Sequence, residues 1–207
     1  QENPNYEYEL ITDVSDENLI NKLPNFDACS LRVSRLDENI LKHCPNLKVI
    51  SRHGVGYDNV DLNYIKKNNI TLLLTATANA VAVAEHVLAM FLSLSKSIIN
   101  YDKEVRVGNF KKNASLIKTF ELFNKNILIA GFGRIGKKLI TICLAFNTKV
   151  YVYDPYVDVE VIKKYGGIKI NNIDDGLKIA DFVSLHMPLT PKTKNLRNGI
   201  TCYKTRR

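Results

Sequence analysis

The chain has 207 residues, enough for one large or two small domains. Hydrophobic residues make up 45% and charged residues 24%, an ordinary balance for a globular protein. The net charge of +8 raises the question of a nucleic-acid partner, but Lys and Arg are dispersed among Asn and Asp rather than gathered on one aromatic-interleaved face, which argues against one.

Gln1 to Tyr6 are polar, and the chain does not open on Met, so it reads as beginning inside a longer gene product. Tyr8 to Thr12 reads as a short strand, and Asp13 to Leu23 as a helix with Ser15 as its N-cap. Phe26 to Arg32 is the next strand, followed by a helix over Asp37 to Cys44 and a strand over Leu47 to Ser51. A further helix (63–68) and strand (70–75) continue the alternation. Strands and helices alternating at this spacing predict a small parallel sheet covered on both faces.

Between them lies Arg52-His53-Gly54-Val55-Gly56-Tyr57-Asp58. Two glycines at the carboxyl end of a strand expose backbone N–H groups where ligands bind open α/β sheets. A carboxylate could be held there with Arg52 as counter-charge, although a plain βα turn uses the same residue types.

Residues 77–94 read as a long Ala- and Leu-rich helix opened by an Asn, with the domain connection along it. The domains are therefore expected at 1–99 and 100–207. His86 lies on this helix, where a histidine is more often a hydrogen-bonded structural residue than a base. Residues 101–125 read as charged and loop-like, with a helical start at Tyr101 and a polar linker over 108–112.

Residues 126–155 carry the strongest signal. An apolar strand-type run leads into glycines at 131, 133 and 136, then a helical run, then a second strand ending on Asp154. This order is a βαβ unit with the dinucleotide fingerprint. Gly131 suits the tight turn, Gly133 a close pyrophosphate, Gly136 close helix–sheet packing, and the helix N-terminus the phosphates. Asp154, 18 residues past Gly136, stands where a carboxylate accepts from an adenine ribose. A 2′-phosphate would meet like charge there, so NAD is favoured over NADP. The alternative is an α/β unit whose glycines serve packing alone.

Beyond it come a helix ending at Gly166-Gly167, a strand at 168–170, a helix over 172–179 and a third strand over 181–186 that closes on His186-Met187-Pro188. His186 and Pro188 there could touch adenine and ribose, or the prolines could merely stop the strand. Cys29, Cys44, Cys143 and Cys202 show neither CxxC pairing nor metal-ligand spacing, which fits reduced thiols in a cytosolic protein and no bound metal. The longest apolar stretch, around 80–99, is interrupted by Glu85, His86 and Lys96, so no membrane span is expected.

Four segments together resemble the D-isomer-specific 2-hydroxyacid dehydrogenases, and most of all their phosphoglycerate dehydrogenase branch. They are Arg-His-Gly-Val-Gly-Tyr-Asp-Asn-Val-Asp, Ala-Asn-Ala-Val-Ala-Val-Ala-Glu-His, Gly-Phe-Gly-Arg-Ile-Gly with Tyr-Asp-Pro, and His-Met-Pro-Leu-Thr-Pro-Lys-Thr. The resemblance implies an α/β chain of two Rossmann/flavodoxin-like parallel-sheet domains, the second truncated: a substrate domain and an NAD-binding domain, in a cytoplasmic homodimer built around the long helix. The small-molecule partner it implies is a 2-hydroxy or 2-oxo acid. By matched position it implies Val55 and Gly56 as substrate-facing backbone. It further implies Gly131, Gly133, Arg134, Ile135, Asp154, His186, Pro188 and Thr193 as cofactor contacts, with Val83 near the nicotinamide.

In that family a histidine paired with a glutamate moves the hydroxyl proton and an arginine holds the carboxylate. The resemblance places all three on segments that this sequence does not carry, and Arg197 to Arg207 shows no fold signal. The chain is thus expected to be a fragment of a dehydrogenase, inactive alone. A non-catalytic NAD-binding regulator or corepressor-like protein of the same fold is the alternative, and a formate or phosphite dehydrogenase would share the motifs.

Overall fold

A computed structural model describes residues 6–75, 78–188, 190 and 193, and divides the chain into two compact units, 1–78 and 79–207. The first unit runs α1 (Asp16–Lys22), β1 (Ala28–Leu31), α2 (Glu38–Leu41), β2 (Val49–Arg52), α3 (Leu62–Lys67) and β3 (Thr71–Leu74). Its three strands are parallel in the order β1-β2-β3, in register from Ala28 opposite Val49 and Val49 opposite Thr71. Asp37 and Asp61 accept from the Ile40 and Tyr64 amides at the starts of α2 and α3, satisfying N–H groups that a helix leaves open. The core gathers Leu19, Ile40, Leu41, Ile50 and Ile65 around β2.

The expected strand over 8–12 does not form. Tyr8 and Leu10 are exposed, and among the described residues no strand pairs with this segment, which is tied down by an ion pair between Lys22 and Glu9. An apolar strand-type run without a neighbouring strand has no partner for its backbone groups, and its sequence alone does not supply one.

The second unit runs α4 (Ala80–Ser95), α5 (Ile98–Arg106), α6 (Phe110–Asn113), β4 (Asn126–Ala130), α7 (Arg134–Ala145), β5 (Lys149–Tyr153), α8 (Val159–Lys164), β6 (Ile168–Ile170), α9 (Ile173–Ile179) and β7 (Phe182–Leu185). Its four strands are all parallel, in the order β6-β5-β4-β7. Ile127 to Ala130 on the central β4 are fully buried, as a strand covered on both faces requires. On α7 the buried positions are Gly136, Leu139, Ile140 and Cys143, spaced i, i+3, i+4, i+7, so one helical stripe faces the sheet.

Two expectations shift here. The unit boundary falls at 78/79 rather than 99/100, because α4 packs along α7 and places Ala84 and Phe91 in the second core. The stretch expected to be loop-like also holds more helix: α5 starts at Ile98, and α6 occupies much of the linker, where Phe110 packs on Tyr101 with ring centroids 5.7 Å apart.

Candidate functional site

In the second unit the chain moves outward from β4 to β5 and β6, then returns to the other side of β4 as β7. The carboxyl ends of β4 and β7 therefore form a switch point, where open α/β sheets bind ligands. A cleft of about 370 Å³ opens there, lined by Gly131 and Gly133 after β4, Tyr153 to Tyr156 at the end of β5, and His186 to Pro188 with Thr190 and Thr193 after β7.

Each glycine has a separate task. Gly131 turns the chain at φ +97°, a region that favours glycine, and a Cβ there would lie 2.7 Å from the backbone carbon and oxygen of His186. Gly136 abuts the Gly131 carbonyl, which a Cβ would meet at 2.4 Å. Gly133 differs: a Cβ on it would have nothing within 4 Å. It is the N-cap of α7 and lines the cleft, and the first turn of this twelve-residue helix holds no acidic residue of its own. A small backbone cradle of this kind, at the positive end of a helix dipole, fits a phosphate group.

Asp154, at the end of β5, is bonded directly to that turn. Its Oδ2 accepts the Phe132 amide at 2.8 Å and its Oδ1 accepts the Tyr156 amide at 2.9 Å. A carboxylate has about four acceptor positions, so two remain for other donors. On β7, Ser184 is buried and its Oγ lies 2.8 Å from His186 Nε2, which fixes the ring. Burial holds the His186 imidazole below its usual range, which favours the uncharged ring. The Thr193 hydroxyl donates to the Pro188 carbonyl at 2.6 Å and also accepts the Thr190 amide, closing the last turn of the cleft wall.

Gly131, Gly133, Asp154, His186, Pro188 and Thr193 thus share one cleft. Arg134, Ile135 and Gly136 form the first turn of α7 behind it, exposed, half-buried and buried in turn. Val83 is half-buried on α4 and does not line the cleft. His86 corrects the expectation of a hydrogen-bonded structural residue: it is exposed on α4. The reading of single residues passed over Tyr153, Tyr156, Met187 and Thr190, which also line the cleft. Their signal was proximity: Tyr153 and Met187 flank residues already singled out, and Tyr156 and Thr190 lie two positions from one.

The other sequence-predicted positions lie in the first unit. Arg52 ends β2 and donates from Nη1 to the His53 carbonyl at 3.0 Å; its guanidinium covers Gly54, and its Nε is buried without a partner. Val55 and Gly56 are exposed in the following loop. The Thr75 hydroxyl, which accepts the Gly54 amide at 2.7 Å, anchors that loop to the end of β3.

The sequence profile of the D-isomer specific 2-hydroxyacid dehydrogenase catalytic domain matches residues 1–181. The chain belongs to this family. It is 30% identical over 191 residues to a D-3-phosphoglycerate dehydrogenase of Methanocaldococcus jannaschii, an alignment covering 92% of this chain and 36% of that protein. Among solved structures it resembles the D-lactate dehydrogenase of Aquifex aeolicus complexed with NAD and lactic acid, at TM-score 0.75 and 34% identity, over 84% of this chain and 52% of that one. It also resembles the NAD+-bound 3-phosphoglycerate dehydrogenase of Entamoeba histolytica, at TM-score 0.71 and 28% identity, over 86% and 52%. The chain spans about a third of the length of the curated relative it matches. Among the described residues no single helix is long and apolar enough to cross a membrane.

Proposed function

We propose that this chain carries the nicotinamide-cofactor cleft of an NAD-dependent oxidoreductase acting on the CH–OH group of a D-2-hydroxy acid, 3-phosphoglycerate or a related one. The observation that carries the reading is the pairing, at one switch point, of an open glycine cradle under a helix N-terminus with an acid that keeps two acceptor positions spare. Bound NAD would supply the hydride acceptor at its nicotinamide C4. Gly133 and the first turn of α7 hold the pyrophosphate, Asp154 accepts from the adenine ribose hydroxyls, and His186, Pro188 and Thr193 wall the cleft. The carboxylate of Asp154 repels a 2′-phosphate, which selects NAD over NADP.

In the same reading the first unit is the substrate domain, with Arg52, Val55 and Gly56 receiving the substrate carboxylate. Arg52, a cation at the carboxyl end of β2 beside the exposed backbone of Val55 and Gly56, supports this. The exposed face of α4, along which Ala82, Glu85, His86 and Ala89 lie with Val81 and Met90 at its two edges, is the surface through which the protein dimerises. Site and compartment are those of a cytoplasmic enzyme.

Titration of the chain with NADH and NADPH, followed by nicotinamide fluorescence, tests the cofactor reading. The expected result is saturable NADH binding at least about tenfold tighter than NADPH, the size of one charge-assisted contact. Equal affinity for both, or none for either, would overturn it.

A further inference from the structure

Half of the acceptor positions of the Asp154 carboxylate are taken by the protein before any ligand arrives. Its two oxygens are 2.8 Å from the Phe132 amide and 2.9 Å from the Tyr156 amide, so one side chain at the end of β5 grips both the glycine turn after β4 and its own following turn. Phe132 is the residue between Gly131 and Gly133. Its side chain is fully buried and stacks edge-on against Tyr165, with ring centroids 5.5 Å apart, so the residue is pinned by its ring on one side and by its amide on the other. The Gly131 amide is held as well, donating to the Tyr153 carbonyl at 2.8 Å. Between those two bonds the turn has little freedom, and the Phe132 N–H points at the acid instead of into the cleft.

We propose that Asp154 is the positioning residue of the phosphate cradle as well as an acceptor for the ribose. It fixes the glycine turn so that the amides from Gly133 onward, and not that of Phe132, meet the pyrophosphate. Cofactor selection and loop geometry then rest on the same carboxylate, and removing its charge to admit a 2′-phosphate also loosens the cradle that must hold the rest of the molecule. A replacement that discards the carboxylate therefore weakens both cofactors rather than exchanging one for the other.

The proposal builds on the cofactor reading, and its first test does not depend on it. Amide hydrogen exchange on the ligand-free chain should show the Phe132 amide losing about tenfold or more of its protection in Asp154→Ala, the worth of a charge-assisted hydrogen bond, while the Leu128 and Ile129 amides of β4 keep theirs. Asp154→Asn, which retains one acceptor oxygen, should restore part of the Phe132 protection and serves if the alanine variant fails to fold.

The second test uses NADH against its analogue lacking both hydroxyls of the adenine ribose. An acid acting on the ribose alone leaves the analogue's affinity unchanged in Asp154→Ala; a positioning acid lowers it by about tenfold as well. Unchanged Phe132 exchange in both variants, or analogue binding indifferent to Asp154→Ala, overturns the proposal. Loss of Phe132 protection in a chain that binds no nicotinamide cofactor would instead uphold the positioning role and fail the cofactor reading.

Discussion

The three glycines of the turn after β4 look alike in the sequence, and the space around each separates them. A methyl group on Gly136 must push the Gly131 carbonyl from 2.4 Å, and backbone there has nowhere to go because Gly131 is itself pressed on His186. Gly136→Ala is therefore expected to cost about 1–3 kcal/mol, the range for overpacking a filled core. Gly133→Ala places its methyl in open space, and losing glycine at an N-cap costs about 1 kcal/mol or less. That variant should stay folded and lose NADH affinity by about tenfold or more, because the methyl stands where a phosphate must approach the backbone. Urea unfolding read beside NADH titration distinguishes the two positions. A Gly133→Ala chain that binds NADH normally would remove that residue from the cradle.

Between neighbouring elements, burial decided what the sequence could show. β4, β5, α7 and β7 were legible because each carries its own period or apolar run bounded by glycine or acid, and the cleft followed from their ends. The segment over 8–12 misled because strand-forming residues need a partner strand that local sequence does not reveal, and α6 was hidden because polar residues around Phe110 mask a short helix. Placing α4 failed for a related reason: an Ala-rich helix says that it packs closely but not against which unit. Phe182 on β7 tests the placement. Its ring lies 4.7 Å from that of Phe91 on α4 and 6.0 Å from that of Phe120, centroid to centroid. Phe182→Ala is expected to cost about 3–5 kcal/mol and to raise amide exchange along α4 and the second sheet, with β1 to β3 unaffected. Exchange rising in the first unit instead would return α4 to it.

Over the whole chain, cofactor binding and turnover make different demands. Oxidising a hydroxy acid requires a base tuned near neutral pH and a fixed cation beside the reacting carbon. Of the four histidines, His43, His53 and His86 are exposed, and His186 is half-buried and held by the Ser184 hydroxyl rather than by a carboxylate. The cleft itself contains Asp154 and His186 as its titratable groups besides tyrosine, and no Lys or Arg among its described lining residues. Among these described lining groups none is a cation that could steady a substrate carboxylate within the cleft, and the one imidazole is engaged by Ser184. The chain is accordingly expected to bind NADH and to produce none when given NAD with D-3-phosphoglycerate or D-lactate, as followed by the appearance of NADH absorbance. Turnover at the rate of a full-length relative would mean that groups outside the cleft complete the site; binding without turnover would leave this chain as the cofactor-holding part of the reaction.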